Sequence, residues 1–221
     1  MSTFPGEISA LQAMQRLFRI TPSDLKVTAN DATASAVIDH SGADSQITAL
    51  VNRLKSTGYE VGTANARKVE VPINHNRPEE SHPVVDLVSY ELRKEAKRIG
   101  YVHHAWGPQG GLVLARARRS DGSIEVFFDQ KGKTEHAVFD HKGLIVSATT
   151  NLQSTMVPAA VSCKDVCNLI CQKGAGSTIA ECAAACLAGG PEDEPLCDPL
   201  CAILVTLGCL VGCDKICSLC C

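Results

Sequence analysis

The sequence predicts two structural classes in one chain. An α+β N-terminal domain, made of helices plus a four-stranded antiparallel meander, is followed by a small all-α, disulfide-rich C-terminal domain. Three observations predict this. All 12 Cys of the 221 residues lie between Cys163 and Cys221. From Gly110 onward apolar residues recur with period two, in runs separated by short Gly-containing links. In the tail most neighbouring Cys are four apart, a spacing that puts both sulfurs on one face of a helix. The expected division is 1–150 for the α+β domain, 151–162 for a linker and 163–221 for the cysteine-rich helical segment.

Composition breaks at the same place. All nine aromatic residues lie at or before Phe139, and all seven His at or before His141. Residues 161–221 carry three Lys against seven acids, a formal charge of −4, whereas residues 1–160 carry 18 basic and 17 acidic groups, or +1. The whole chain has net charge −3, so it lacks the basic footprint of a nucleic-acid binder. With 45% hydrophobic and 20% charged residues it is not a disordered chain. No apolar run reaches the roughly 20 residues of a spanning helix.

In the N-terminal part, Ile8, Leu11, Met14, Leu17 and Phe18 recur at helical spacing and predict an amphipathic helix over about 7–19. Its polar face is not rich in Lys and Arg, so it reads as a packed surface helix and not a membrane helix. A second helix is expected over 43–57, with the stripe Ile47, Leu50, Val51, Leu54 and a stop at Gly58. A third is expected over 84–99, with Leu87, Val88, Leu92, Ala96 and Ile99 on one face and Lys94, Lys97 and Arg98 at its C-terminal end. One short strand is expected from Lys68 to Ile73, then a polar loop broken by Pro78. The meander follows as 111–118, 123–129, 133–140 and 144–149. Its links, Ser120-Asp121-Gly122, Gln130-Lys131-Gly132 and His141-Lys142-Gly143, each offer a Gly for positive φ.

Candidates for chemistry in this domain are His103, His104, His136 and His141, with Asp129 and Asp140. His136 and His141 straddle a predicted turn. No HExxH pattern, P-loop, GxSxG or GxGxxG accompanies them, so the expectation is polar residues on the surface of hairpins, no cofactor and no enzyme activity. The start of the chain lacks a basic n-region followed by a continuous apolar core, so no secretory signal is read there.

The linker, NLQSTMVPAAVS, is uncharged and built of small residues around Pro158, the composition of a protease-sensitive site. Beyond it the cysteines stand at Cys163, Cys167, Cys171, Cys182, Cys186, Cys197, Cys201, Cys209, Cys213, Cys217, Cys220 and Cys221. Gly174-Ala175-Gly176 and Gly189-Gly190-Pro191 are breaks, and four helices are expected, over 163–172, 178–188, 197–206 and 207–219. A segment so short and free of aromatics does not bury enough apolar area to fold alone, and disulfides are the usual substitute. Pairing is not fixed by spacing, since twelve Cys allow on the order of ten thousand schemes. The near-palindromic order admits a nested hairpin: Cys186–Cys197, Cys182–Cys201, Cys171–Cys209, Cys167–Cys213 and Cys163–Cys217. It leaves the vicinal pair Cys220 and Cys221, which bond to each other only with strain. The rival is a thiolate metal site. The apolar run from Ala202 to Gly212 and the CxxxC spacing fit zinc poorly. A membrane span over 199–213 is too short.

A cysteine-free globular part followed by the run Cys163-Lys164-Asp165-Val166-Cys167-Asn168-Leu169-Ile170-Cys171, a Gly- and Ala-rich middle and Gly208-Cys209-Leu210-Val211-Gly212-Cys213 resembles the precursors of halocin-C-type bacteriocins. The resemblance covers about 60 residues. It implies that the C-terminal peptide is released as a secreted antimicrobial acting on the membrane or envelope of target cells. It also implies that residues 1–150 serve as pro- or immunity domain and bind the peptide after cleavage. Twelve Cys exceed the family pattern, and the export route is not indicated. The alternative is a non-enzymatic metal-binding or redox protein with a thiolate-rich tail.

Overall fold

The computed structural model describes residues 7–29, 34–73, 82–130, 133–142, 144–149, 156–158, 162–173, 179, 182, 186 and 197–220. The chain opens with a three-residue strand β1 (Glu7–Ser9) and helix α1 (Ala10–Phe18). Ser9 Oγ accepts the Gln12 N–H, and the Gln12 side chain accepts the Ser9 N–H, a reciprocal cap that fixes where α1 starts. After a 3-10 turn (Pro22–Asp24) come β2 (Lys26–Ala29), α2 (Ala34–Ala43) and α3 (Ser45–Ser56). Asp44 caps α3, and Gly58 at φ 86° follows its end, as the sequence predicts. Helix α2 was not expected, because its residues have no strong apolar stripe; its buried residue is Ser41.

Seven long or medium strands follow and complete one sheet. They are β3 (Glu60–Glu70), β4 (Val84–Lys94), β5 (Lys97–Gly107), β6 (Gly110–Arg118), β7 (Ile124–Gln130), β8 (Lys133–Phe139) and β9 (Ile145–Ala148). All pair antiparallel with their sequence neighbours in the order β2-β3-β4-β5-β6-β7-β8-β9. The meander is therefore eight strands and not the expected four. The short strand expected at 68–73 is the end of the much longer β3, and the Pro78 loop lies outside the described residues.

The expected helix over 84–99 is wrong: those residues are β4 and the start of β5. The reason is that the sheet is a middle layer. Val85, Leu87, Ala105, Leu112, Leu114, Val126, Phe128 and Phe139 point into one core. Leu92, Val102, Val113, Ala115, Ala117 and Phe127 point into another, against Ile47, Leu50 and Leu54 of α3. With both faces covered, apolar residues stop alternating, and a run such as Val85-Asp86-Leu87-Val88 fits a helical stripe equally well.

A last short strand, β10 (Met156–Pro158), pairs with β1. It lies in the expected linker, whose other residues up to 161 are outside the described set. Ser162 Oγ then accepts the Asp165 N–H and opens α4 (Cys163–Lys173). Of the expected helix over 178–188, Ile179, Cys182 and Cys186 are described, all helical. The chain ends in α5 (Cys197–Val211) and α6 (Cys213–Cys220). The break expected between 206 and 207 is at Gly212. Its φ of 110° is left-handed, so Gly ends α5 there, while Gly208 is carried inside the helix.

The composition break at 162 is not a break in packing. Leu11, Met14 and Phe18 of α1, the first face of the sheet, and Val166, Ile170, Ile203, Leu204, Leu207 and Ile216 of the cysteine-rich helices share one core. The layers are thus α1 with α4–α6, the sheet, and α2 with α3.

Candidate functional site

Five disulfides join the tail helices: Cys163–Cys217, Cys167–Cys213, Cys171–Cys209, Cys182–Cys201 and Cys186–Cys197. They are the five nested pairs that the palindromic spacing admits. The physical basis is the four-residue repeat. Cys163, Cys167 and Cys171 form one row along α4, and the partners at Cys217, Cys213 and Cys209 descend the opposing helices in step. Ten of the twelve Cys are accounted for in this way. Cys220 lies outside the five bridges, with its sulfur 3.4 Å from Cys163 Sγ, and Cys221 is outside the described residues. Cys167, Cys171 and Cys213 also bring three sulfurs within 4.8 Å of one another, the grouping a soft metal ion needs. All three are in bridges, however, and are not thiolates.

Helix α5 occupies the centre of this arrangement. Every residue from Cys201 to Gly208 is buried. One side of α5 meets α4 and α6, and the other meets α1, β5 and β6. Thr206, its one polar residue in that run, donates to the Ala202 carbonyl and so leaves no unsatisfied group. The sheet reaches the helix end through the β5–β6 turn, where Gln109 N–H donates to the Leu210 carbonyl at 2.9 Å. A Cβ on Gly107 would sit 2.5 Å from that same carbonyl, so the close approach requires glycine. No single helix among the described residues is long and apolar enough to cross a membrane. Pro199–Val211 and Cys213–Cys220 together have the length and composition, but they are bent by 115°.

Two of the four candidate histidines, His103 and His104, are not surface hairpin residues. His103 and His104 are buried on opposite faces of β5, at 3% and 1% exposure, and Asp129 is buried too. Each imidazole is held by a distant serine: Ser89 Oγ is 2.9 Å from His103 Nδ1, and Ser41 Oγ is 2.9 Å from His104 Nδ1. Tyr90 O–H donates to the same Ser41. His136 stacks on Phe127 and bonds Glu125 at 3.0 Å. His141 is exposed in the β8–β9 turn, where Asp140 accepts the N–H groups of Lys142 and Leu144. His136 belongs to a cluster that sequence reading missed. In it, buried Glu125 accepts from Tyr59 O–H at 2.5 Å and from Arg119 at 2.6 Å. These bonds and that of His136 hold the Glu125 carboxyl far below the usual carboxylate range, with the His136 bond the largest cause. Tyr59, buried beside that anion, is pushed well above the ordinary phenol value.

Burial sets the charge of the two central histidines. It pulls His103 down to about 3, helped by Arg67 and Arg116. Burial also pulls His104 down to about 4, opposed by Asp44 and helped by His40. In the unfolded chain both titrate near 6.5, so that state binds more protons as pH falls from about 6.5 towards 4. Stability is therefore full above that window and falls through it, by up to about 1.4 kcal/mol per pH unit for each histidine. Glu125 adds a loss of the same sign below its ordinary value near 4.5. Denaturant melts at about pH 7 and about pH 5 check this, and His103→Gln should flatten the slope by one proton. Equal stability at the two pH values would rule out burial of neutral imidazoles.

No family model matches the chain, and neither a curated protein nor a solved structure is significantly similar to it.

Proposed function

We propose that the chain is the precursor of a bacteriocin-like peptide. Residues from about 163 to 221 form the disulfide-stapled antimicrobial. The N-terminal part covers its apolar face until a protease cuts within 151–162, and it binds the peptide again as an immunity domain. The observation that carries this reading is the burial of α5. A helix buried all round is a core helix, yet here part of its cover comes from outside the stapled segment, from α1, β5 and β6. Release of the peptide would leave Ile203, Leu207 and Leu210 without the sheet and α1, presenting an apolar surface of the kind that enters a bilayer or a receptor groove. The bridges keep the released helices in register. With formal charge −4 the segment is not drawn to anionic lipid, so the reading includes a receptor or envelope component on the target cell. The mechanism is exposure of a stored apolar face, triggered by the cut.

The test is to place a specific protease site in 151–162 of the full chain and compare uncut with cut protein. The uncut chain should be inactive. Cut and separated peptide should inhibit related microbes, and added N-terminal part should suppress that inhibition. An oxidised peptide that leaves a broad panel of related microbes unharmed would sink the reading. The metal-binding alternative draws on the sulfur grouping of Cys167, Cys171 and Cys213. Native mass spectrometry separates the two, because bridges lower the mass by two hydrogens each and a bound ion raises it.

A further inference from the structure

An open cleft of about 1340 Å³ lies at the end of the sheet, away from the cysteine-rich helices. Its cations come from three segments distant in sequence. Arg53 comes from α3, Lys94, Lys97 and Arg98 from the β4–β5 hairpin, and Arg116, Arg118 and Arg119 from the end of β6. Facing these seven cations are three carboxylates, Glu95, Asp121 and Glu125, so the lining carries +4. Residues 1–160 as a whole carry only +1. The positive charge of the N-terminal part is thus gathered in this cleft, and the rest of that part is net negative.

The chemistry of the lining points to an anion. Glu125 is already consumed by Tyr59, Arg119 and His136, and Asp121 by the N–H and hydroxyl of Ser123. Glu91, outside the lining, reaches Arg98 only at 3.9 Å. At the end of α3 the Leu54 and Lys55 carbonyls already accept the N–H groups of Thr57, Gly58 and Tyr59. Aromatic rings position two of the cations, with Lys94 5.2 Å above Tyr59 and Arg98 5.7 Å above Tyr101. The hairpin that presents them is strained. Its two central residues, Glu95 and Ala96, have φ of 50° and 62°, a conformation that Asn-Gly adopts at lower cost. Strain of this sort persists where the geometry it imposes is used.

We propose that this cleft is a binding site for a phosphate-bearing anion, held by Lys97 and Arg98 together with Lys94 and Arg53. Guanidinium groups match the paired oxygens of phosphate, and several cations around one cleft favour a multivalent anion over a single carboxylate. The ligand is a free polyphosphate or a phospholipid headgroup, and the chemistry of recognition is the same. The inference is independent of the bacteriocin reading.

Full-length oxidised protein is titrated calorimetrically with pyrophosphate at low ionic strength. In parallel it is sedimented with phosphatidylcholine vesicles with and without phosphatidylglycerol. Binding is expected in at least one arm: pyrophosphate alone identifies a soluble ligand, and vesicles that need phosphatidylglycerol identify a headgroup. Lys97→Gln with Arg98→Gln, both exposed and so harmless to folding, should weaken binding at least about tenfold. Lys142→Gln, an exposed change in the β8–β9 turn, should leave it intact. No binding in either arm, or equal weakening by Lys142→Gln, overturns the proposal.

Discussion

Reducing the five disulfides under otherwise native conditions is expected to loosen the tail and leave the sheet folded. The size of the effect follows from the nesting. Taken alone, a bridge spanning 54 residues, as Cys163–Cys217 does, would contribute about 4 kcal/mol in the chain-entropy model. With Cys167–Cys213 already closed, however, it closes only the four-residue steps on either side, and its contribution falls to about 2–3 kcal/mol. The innermost bridge, Cys186–Cys197, spans 11 residues and contributes about 3 kcal/mol. The set therefore supplies on the order of 10 kcal/mol, as much as the whole stability of an ordinary domain. One double Ser variant, such as Cys163→Ser with Cys217→Ser, should be tolerated, whereas full reduction should not. Limited proteolysis at neutral pH checks this. Reduced protein should be cut within 162–221 while 7–149 survives, and it should bind an apolar dye as α5 becomes uncovered. If the reduced tail stays protected, packing on the sheet and α1 holds it and the bridges are secondary.

The sequence admitted the tail pairing without fixing it. Cysteines four apart on α4 and four apart on the opposing helices allow an arrangement in which every rung is level, and the structure adopts that one. The later strands were legible because their cause is local and periodic: β6 to β9 pair across tight links, and Gly122 adopts the positive φ expected of it (83°). What the sequence hides is whatever depends on a second layer. Residues 84–99 misread as helix because the second core, shared with α3, takes one face of β4 and β5 while the first core takes the other, which erases the period of two. His103 and His104 misread as surface groups because their partners are remote: Ser89 lies 14 residues from His103, and Ser41 lies 63 from His104. The basic cleft draws on α3, one hairpin and the end of β6, so no window of sequence contains it. Nor did composition predict shared packing. The tail looks separate because it lacks aromatics and carries all the cysteines, yet Phe18 and Phe128 from the other side of that boundary fill the core it lies on.

The tightest point of that core gives a test in which two rules oppose each other. Gly208 lies inside α5, where helix propensity alone predicts that Gly→Ala stabilises by about 1 kcal/mol. A Cβ there would lie 1.9 Å from Cys167 Sγ and 3.2 Å from Cys213 Sγ, so the rung and the added methyl compete for one space. Neither sulfur can swing away as a flexible side chain does, because each is tied to the other across two helices. Gly208→Ala is therefore expected to destabilise, by about 1–3 kcal/mol, the range of overpacked cores. Gly42 is the matched control. It lies exposed in α2 with nothing within 4 Å of an added Cβ, so Gly42→Ala should follow propensity and stabilise by a few tenths to about 1 kcal/mol. Thermal melts of the oxidised proteins, with thiol counts on each, separate the outcomes. The expected result is a lowered Tm for Gly208→Ala, together with thiols released from Cys167 and Cys213. A raised Tm for both variants would mean that α5 and α4 lie farther apart than this rung places them, and the tail would then owe its register to the outer bridges.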